Sequence, residues 1–248
     1  MLDSPAIIRH LLIVIDKIMA TILSIETATK TCSVALHRDE TLVGLQEVHL
    51  DKSHSSLLHV MIDKLLQHCD TERHALDAVA VSIGPGSYTG LRIGVSAVKG
   101  IGYALAIPVI AINTLEAMAQ GIKRFNLSGS WLCPMLDARR MEVYCLLQDE
   151  AGTLIQETEP VIVDEHSFQS QLDEHSITFF GNGSDKCQAQ LQHHPHAHFI
   201  SGVQPSAREV GELAFAKYKK EEFEDLAYFV PFYLKEYRTT QPKKKLLR

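Results

Sequence analysis

Two acidic residues, each closing an apolar run, are the first candidates for chemistry in this 248-residue chain: Glu26 ends Ile22-Leu-Ser-Ile-Glu26, and Asp137 ends Leu132-Cys-Pro-Met-Leu-Asp137. Paired carboxylates across a cleft can hold Mg²⁺ through water. The hydroxyls of Thr27 and Thr29, with the glycine turns Gly84-Pro-Gly86 and Gly181-Asn-Gly183, supply the donors that a phosphate needs. A second reading stands beside it: the hydroxyls cap a turn and the glycines are folding signals, so that no cofactor binds. Other constellations carry less. His54, His59 and His68 lie five and nine apart, which does not align them on one helix face, and the run His193-His-Pro-His-Ala-His198 reads as an exposed loop. No metal site is expected. Ser87 stands in Pro85-Gly-Ser-Tyr-Thr89 without the Gly-x-Ser-x-Gly spacing of a nucleophile elbow, and is predicted to cap a helix.

The stretch Gly84-Pro-Gly-Ser-Tyr-Thr-Gly-Leu-Arg-Ile-Gly94 joins an apolar strand to a helix rich in small residues. Along the predicted helix 88–106, Gly90, Gly94, Ala97, Ile101 and Ala104 recur at helical spacing, beside a stripe of Leu91, Val95, Val98 and Leu105. A glycine within a helix costs roughly 1 kcal/mol against alanine, so Gly90, Gly94, Gly100 and Gly102 imply that something approaches closely. The preceding predicted helix, 53–67, offers Leu57, Leu58, Met61, Ile62 and Leu65 around more than half its circumference. Either both helices simply cover a sheet, or part of their apolar surface meets a partner.

The elements that position these residues follow a repeated pattern. Strands at 21–25, 32–36 and 42–48, a helix at 53–67, a strand at 77–83, a helix at 88–106, a strand at 109–112 and a helix at 114–125 give β-β-β-α-β-α-β-α. The second half restarts it with strand 132–137, a hairpin over 141–147 and 153–156, a glycine turn at 181–183 and a firm helix at 205–219; its intervening helices are weakly amphipathic. Two tandem ribonuclease-H-like α/β units are expected, with mixed sheets flanked by helices and a degenerate second copy, an arrangement that resembles the actin-like ATPase superfamily. The divisions are an N-terminal extension at 1–18, a first domain at 19–125 carrying the helix pair, a second domain at 126–236 and a basic tail at 237–248. One reading takes Met19 as the native start, and a short docked amphipathic helix is the other reading of 1–18. The net charge of −6 argues against a broad nucleic-acid surface, although Lys243-Lys-Lys245 and Arg248 leave a minor RNA contact open. Five cysteines without a Cys-x-x-Cys pair fit a reducing cytoplasm. The apolar run 11–15 is too short to cross a membrane.

The chain resembles the TsaB (YeaZ) family through Ile22-Leu-Ser-Ile-Glu-Thr-Ala-Thr29, the Gly84-to-Gly94 turn and helix, Pro108-Val-Ile-Ala-Ile-Asn113 and Pro231-Phe-Tyr-Leu-Lys235. The resemblance implies a non-catalytic subunit needed to form threonylcarbamoyladenosine at adenosine 37 of tRNAs reading codons that begin with A. Its implied partner is the paralogous transferase TsaD, with the ATPase TsaE in a larger assembly, a possible homodimer, and tRNA met through the complex. It implies that the surfaces used are the helices at 53–67 and 88–106, which assigns to the interface Leu57, Leu58, Met61, Ile62, Leu65, Gly90, Leu91, Gly94, Val95 and Val98. TsaD holds its metal through two histidines spaced His-x-x-x-His, and here Thr114 and Met118 stand at those places, which cannot replace two imidazoles. The Asp-x-Gly usual in actin-like ATPases is also replaced, by Glu26-Thr-Ala-Thr29. The alternative is a nucleotide-binding enzyme of that superfamily, with Glu26, Asp137, Gly181 and Gly183 as its candidates. A third reading, a peptidase, finds neither a metal pair nor a nucleophile.

Overall fold

The computed structural model describes residues 19–50, 54–126 and 128–235. The expected extension at 1–18 and the tail at 237–248 lie outside the described residues. Three strands rich in apolar and β-branched residues, β1 (Thr21–Glu26), β2 (Thr31–Arg38) and β3 (Thr41–His49), form an antiparallel meander with Leu23 opposite Leu36 and Ile25 opposite Val34. All six residues of β1 are buried, so both faces of this strand are covered, whereas β3 alternates as an edge strand does. Helix α1 (His54–His68) leads to β4 (Ala78–Gly84), helix α2 (Tyr88–Leu105) to β5 (Val109–Asn113), and β1, β4 and β5 run parallel. The sheet order is β3-β2-β1-β4-β5.

The second half repeats this topology. Strands β6 (Trp131–Asp137), β7 (Glu142–Gln148) and β8 (Leu154–Ile162) form the meander, β9 (Ile177–Phe180) and β10 (Ala197–Ile200) add in parallel, and the order is β10-β9-β6-β7-β8. The strands of this copy are complete. Its degeneracy lies in the short helices α4 (Gln169–Glu174) and α5 (Ser184–Leu191), whose Leu172, Cys187 and Leu191 cover one face over Cys133, Cys145 and Phe179.

Two helices cross from one half to the other. Helix α3 (Thr114–Lys123) follows β5, yet its Leu115, Met118 and Ala119 pack with Leu132, Leu136, Leu146 and Phe180 of the second sheet. Helix α6 (Ala207–Lys219) follows β10, yet its Val210, Ala214 and Phe215 pack with Ile22, Ala80, Ile110 and Ile112 of the first. Gly211 makes this seating possible, because a Cβ there would stand 2.2 Å from Nδ1 of the buried His37. Helices α1 and α2 cover the opposite face of the first sheet with Leu58, Met61, Leu65, Val95 and Val98. At roughly 1.5–3 kcal/mol for each fully buried large aliphatic side chain, these contacts anchor both helices against the sheet. The chain then returns along the first half: the Glu224 N–H donates to the Val109 carbonyl at 2.9 Å, Phe229 enters the core, and the Phe232 N–H donates to the Ile83 carbonyl at 2.8 Å.

Candidate functional site

The turn after β1 and the glycine turn before α2 interlock. Thr27 Oγ1 donates to the Gly90 carbonyl at 2.8 Å, and the Ser87 N–H donates to the Ala28 carbonyl at 2.6 Å. A Cβ at Gly86 would stand 2.4 Å from the Ala28 carbonyl oxygen, one at Gly90 2.0 Å from the Thr27 carbonyl oxygen, and one at Gly94 2.4 Å from Thr27 Oγ1. No real Cβ tolerates such distances, so the close approach implied by these glycines is made by the chain's own Thr27-Ala28 turn. Ser87 caps α2 as expected, its Oγ accepting from the Gly90 N–H at 3.3 Å.

Glu26 sits beneath this turn at 0% exposure. Its Oε1 accepts the Ala28 N–H, its Oε2 finds no partner, and burial pushes the carboxyl up to about 7. Such a group is enclosed by protein on every side and is ionised only in part at neutral pH, so it offers no open carboxylate to a hard cation. Asp137 has a different environment. It is half exposed and takes a hydrogen bond from Lys186 Nζ; burial raises its pKa, but Lys186 and the Arg139 N–H outweigh this and hold the carboxyl below the ordinary value. The two carboxylates are therefore a buried acid and a surface ion pair. Gly181, at φ +97°, and Gly183 serve the second turn as Gly84 and Gly86 serve the first: a Cβ at Gly181 would stand 2.4 Å from the Met135 carbonyl oxygen, and one at Gly183 2.8 Å from the Leu136 carbonyl carbon.

Thr114 and Met118 are enclosed, at 0% and 2% exposure, and Met118 is part of the core between α3 and the second sheet. Among the described residues no group of three His, Cys, Asp or Glu side chains could hold a metal. The histidines are dispersed. His54 is buried, with Nε2 2.8 Å from the Thr29 carbonyl oxygen, and His196 Nδ1 lies 2.7 Å from the Leu172 carbonyl oxygen.

The two helices nevertheless frame an open groove of about 970 Å³ on the outer surface. The residues that the resemblance assigns to the interface do not line this groove. Leu58, Met61, Ile62, Leu65, Gly90, Leu91, Gly94, Val95 and Val98 are all buried within the protein, and Leu57 is half-buried against the same core. Helical periodicity finds stripes but not which one meets the sheet, and the larger aliphatic stripe took that place. The groove is lined instead by Thr89, Ile93, Ser96, Gly100, Ile101 and Ala104 on α2, with Ser55 and His59 across from them on α1. A Cβ on Gly100 would meet nothing within 4 Å, which separates it from Gly90 and Gly94. The sequence carried a signal for this strip: Thr89, Ile93, Ser96, Gly100 and Ala104 recur at spacings of four, three, four and four, with no large aliphatic besides Ile93.

A duplicated ribonuclease-H-like fold whose glycine turns are filled from within, with an outer helix groove left open, is the class defined by these features. Over residues 47–240 the chain matches the family model described as "TsaD: tRNA N6-adenosine threonylcarbamoyltransferase". It is 36% identical over 140 residues to the "tRNA threonylcarbamoyladenosine biosynthesis protein TsaB" of Bacillus subtilis, covering 56% of this chain and 60% of that protein. With TsaB of Escherichia coli it is 36% identical over 162 residues, covering 63% and 69% respectively. "YeaZ from Pseudomonas aeruginosa" superposes with a TM-score of 0.73 at 25% identity, over 87% of this chain and 100% of that one. A further crystal structure, of a protein "with similarity to peptidase YEAZ from Pseudomonas aeruginosa", gives a TM-score of 0.78 at 25% identity, over 88% and 100%. The chain belongs to the TsaB (YeaZ) family, within the wider group that the TsaD family model describes. The matched regions span 60% and 69% of the first two curated relatives.

Proposed function

We propose that this protein is a non-catalytic partner subunit in the threonylcarbamoylation of adenosine 37 of tRNA, and that it pairs with a TsaD-type transferase through the groove between α1 and α2. The observation that carries the reading is the open strip Thr89, Ile93, Ser96, Gly100 and Ala104, small enough for a partner helix to approach the backbone of α2 closely. The enclosed Glu26 and the buried Thr114 and Met118 support a subunit without a transferase centre of its own. They weigh equally against the nucleotide-dependent enzyme, because Thr27 and Ala28 fill the space over the first glycine turn. TsaE joins the assembly in this reading, tRNA is met within the complex, and a second copy of this chain is the competing occupant of the groove.

The test is Gly100→Arg, which leaves the fold intact because the new side chain starts in open space. Light scattering of the protein mixed with TsaD is expected to show a heterodimer that the substitution abolishes while circular dichroism stays unchanged and the melting temperature does not fall. Pairing retained by Gly100→Arg and by Ser96→Arg overturns the proposed surface. Gly94→Arg is unsuitable, since even a Cβ at Gly94 would stand 2.4 Å from Thr27 Oγ1 and the protein would not fold normally.

A further inference from the structure

The returning segment 231–235 closes a strip of rings and cations that the groove does not use in full. At its upper end, the Arg92 guanidinium lies 4.2 Å from the Tyr88 ring centroid, Tyr88 and Tyr233 have centroids 4.8 Å apart, and Arg92 Nε donates to the Tyr233 hydroxyl at 3.2 Å. Tyr88 and Arg92 also line the end of the groove, so the strip begins at the rim of the proposed partner surface. Two residues after Tyr233, Lys235 Nζ lies 5.7 Å from the Tyr144 ring centroid and pairs with Glu142. Beyond Tyr144 comes the turn between β6 and β7, where the exposed Arg139 and Arg140 both adopt left-handed backbone angles, φ 74° and 49°. Lys186 follows, bonded to Asp137 and donating to the Glu142 carbonyl at 2.7 Å.

The strip holds the five cations Arg92, Arg139, Arg140, Lys186 and Lys235 against the two carboxylates Asp137 and Glu142, an excess of three positive charges on a chain whose net charge is −6. Residues 236–248, which continue from Lys235, contain Arg238, Lys243, Lys244, Lys245 and Arg248 against one acidic residue, Glu236. Two adjacent arginines in a conformation disfavoured for side-chain-bearing L-residues present both guanidinium groups at an exposed turn, without the glycine that such angles favour. Cations alone would suit any anionic surface. Cations interleaved with tyrosine rings suit a phosphate backbone whose bases are splayed and stack on aromatic faces.

We propose that this strip, from Arg92 and Tyr233 across Lys235 and Tyr144 to Arg139 and Arg140, is a direct binding surface for a single-stranded RNA loop. The proposal rests on the tRNA-linked reading above and adds to it that this subunit touches RNA itself. The loop would lie beside the groove.

The test titrates the full chain against a fluorescently labelled tRNA anticodon stem-loop at several salt concentrations. The logarithm of affinity is expected to fall linearly with the logarithm of salt. The pair Arg139→Gly and Arg140→Gly, chosen because glycine accepts both left-handed positions, should lower that slope by about 1.4, roughly 0.7 for each phosphate of a single strand that is no longer neutralised. The pair Arg139→Lys and Arg140→Lys should restore it. Tyr233→Leu should weaken binding about fivefold or more at unchanged slope, because one base no longer stacks. Unchanged slope and affinity in the glycine pair overturn the proposal. So does binding that disappears only when residues 236–248 are removed, or a poly-glutamate competitor that displaces the hairpin as well as unlabelled hairpin does. Light scattering with TsaD in the same samples separates the two readings: abolished pairing with retained hairpin binding defeats the groove alone, and intact pairing without hairpin binding defeats the strip alone.

Discussion

Replacing Glu26 with glutamine should stabilise this protein, and the gain should depend on pH in a calculable way. The carboxyl is fully buried with its Oε2 unpartnered, and its pKa rises from 4.5 to about 7 because burial penalises the charged form. The unfolded chain therefore releases this proton near pH 4.5, whereas the folded chain keeps it until about pH 7. The stability contributed by the neutral acid is fully present below pH 4.5, falls as pH rises through that window and is constant above it. At 1.36 kcal/mol per unit the loss amounts to about 3 kcal/mol. The amide of Glu26→Gln keeps an oxygen for the Ala28 N–H and never ionises, so the variant escapes this loss. His37 acts in the opposite sense: burial lowers its pKa from 6.5 to about 4, so its contribution falls as pH drops through that range. The two effects oppose each other in the wild type and flatten its profile. Glu209, raised to about 7 chiefly by burial, adds to the loss at rising pH in both proteins, so it cancels with His37 when the two are compared. Urea unfolding of wild type and Glu26→Gln from pH 4 to 8 should give curves that diverge by about 3 kcal/mol between pH 4.5 and 7 and run parallel above. Curves parallel throughout would refute a raised pKa at Glu26. Loss of tRNA modification in Glu26→Gln at unchanged stability would also reopen a role for this carboxylate in holding a metal or nucleotide.

Other outcomes follow from the same geometry. Gly94→Ala should cost about 1–3 kcal/mol by forcing its Cβ against Thr27 Oγ1, and Thr27→Ala in the same chain should recover part of it, so a double-mutant cycle by urea unfolding should show non-additivity. Gly211→Ala should destabilise comparably through the His37 ring 2.2 Å away, read as a lower melting temperature. Of the five cysteines, Cys69 alone is not fully buried, while Cys32 and Cys187 are pushed up to about 11 by burial. A thiol reagent at neutral pH should therefore label native protein first at Cys69, and mass spectrometry after digestion reads the order.

Much of the fold was legible because the signals were local. Strand 21–25 became Thr21–Glu26, helix 88–106 became Tyr88–Leu105, and Ser87 took its place as a cap, since alternation, helical period and capping act within a few residues. Strand β8 runs on to Ile162, well past the expected 153–156, because its side chains alternate between half-buried and exposed along an edge. The exchange of α3 and α6 between the sheets was not legible, since amphipathic period says that a helix must cover something but not which sheet. The site divides in the same way. Gly84 to Gly94 announced a close approach, yet only tertiary structure shows that Thr27 makes it at Gly90 and Gly94 while Gly100 stays open. Glu26 and Asp137 looked equivalent because each ends a strand, and the difference between a dry interior and a lysine neighbour lies in contacts remote in sequence.

The crossing of α3 and α6 has a consequence for how this chain can be divided. A break in the polar stretch around 126–130 would leave an N-terminal piece whose first sheet lacks α6 over Ile22, Ala80, Ile110 and Ile112, and whose α3 is stripped of Leu132, Leu136 and Phe180. The C-terminal piece would carry the complementary deficits. Neither fragment would be a smaller working protein, yet each holds the lid that the other lacks. Produced separately and mixed, the two should remain aggregation-prone alone and reassemble into one body, so that a repeated fold has become a structure not separable into its copies.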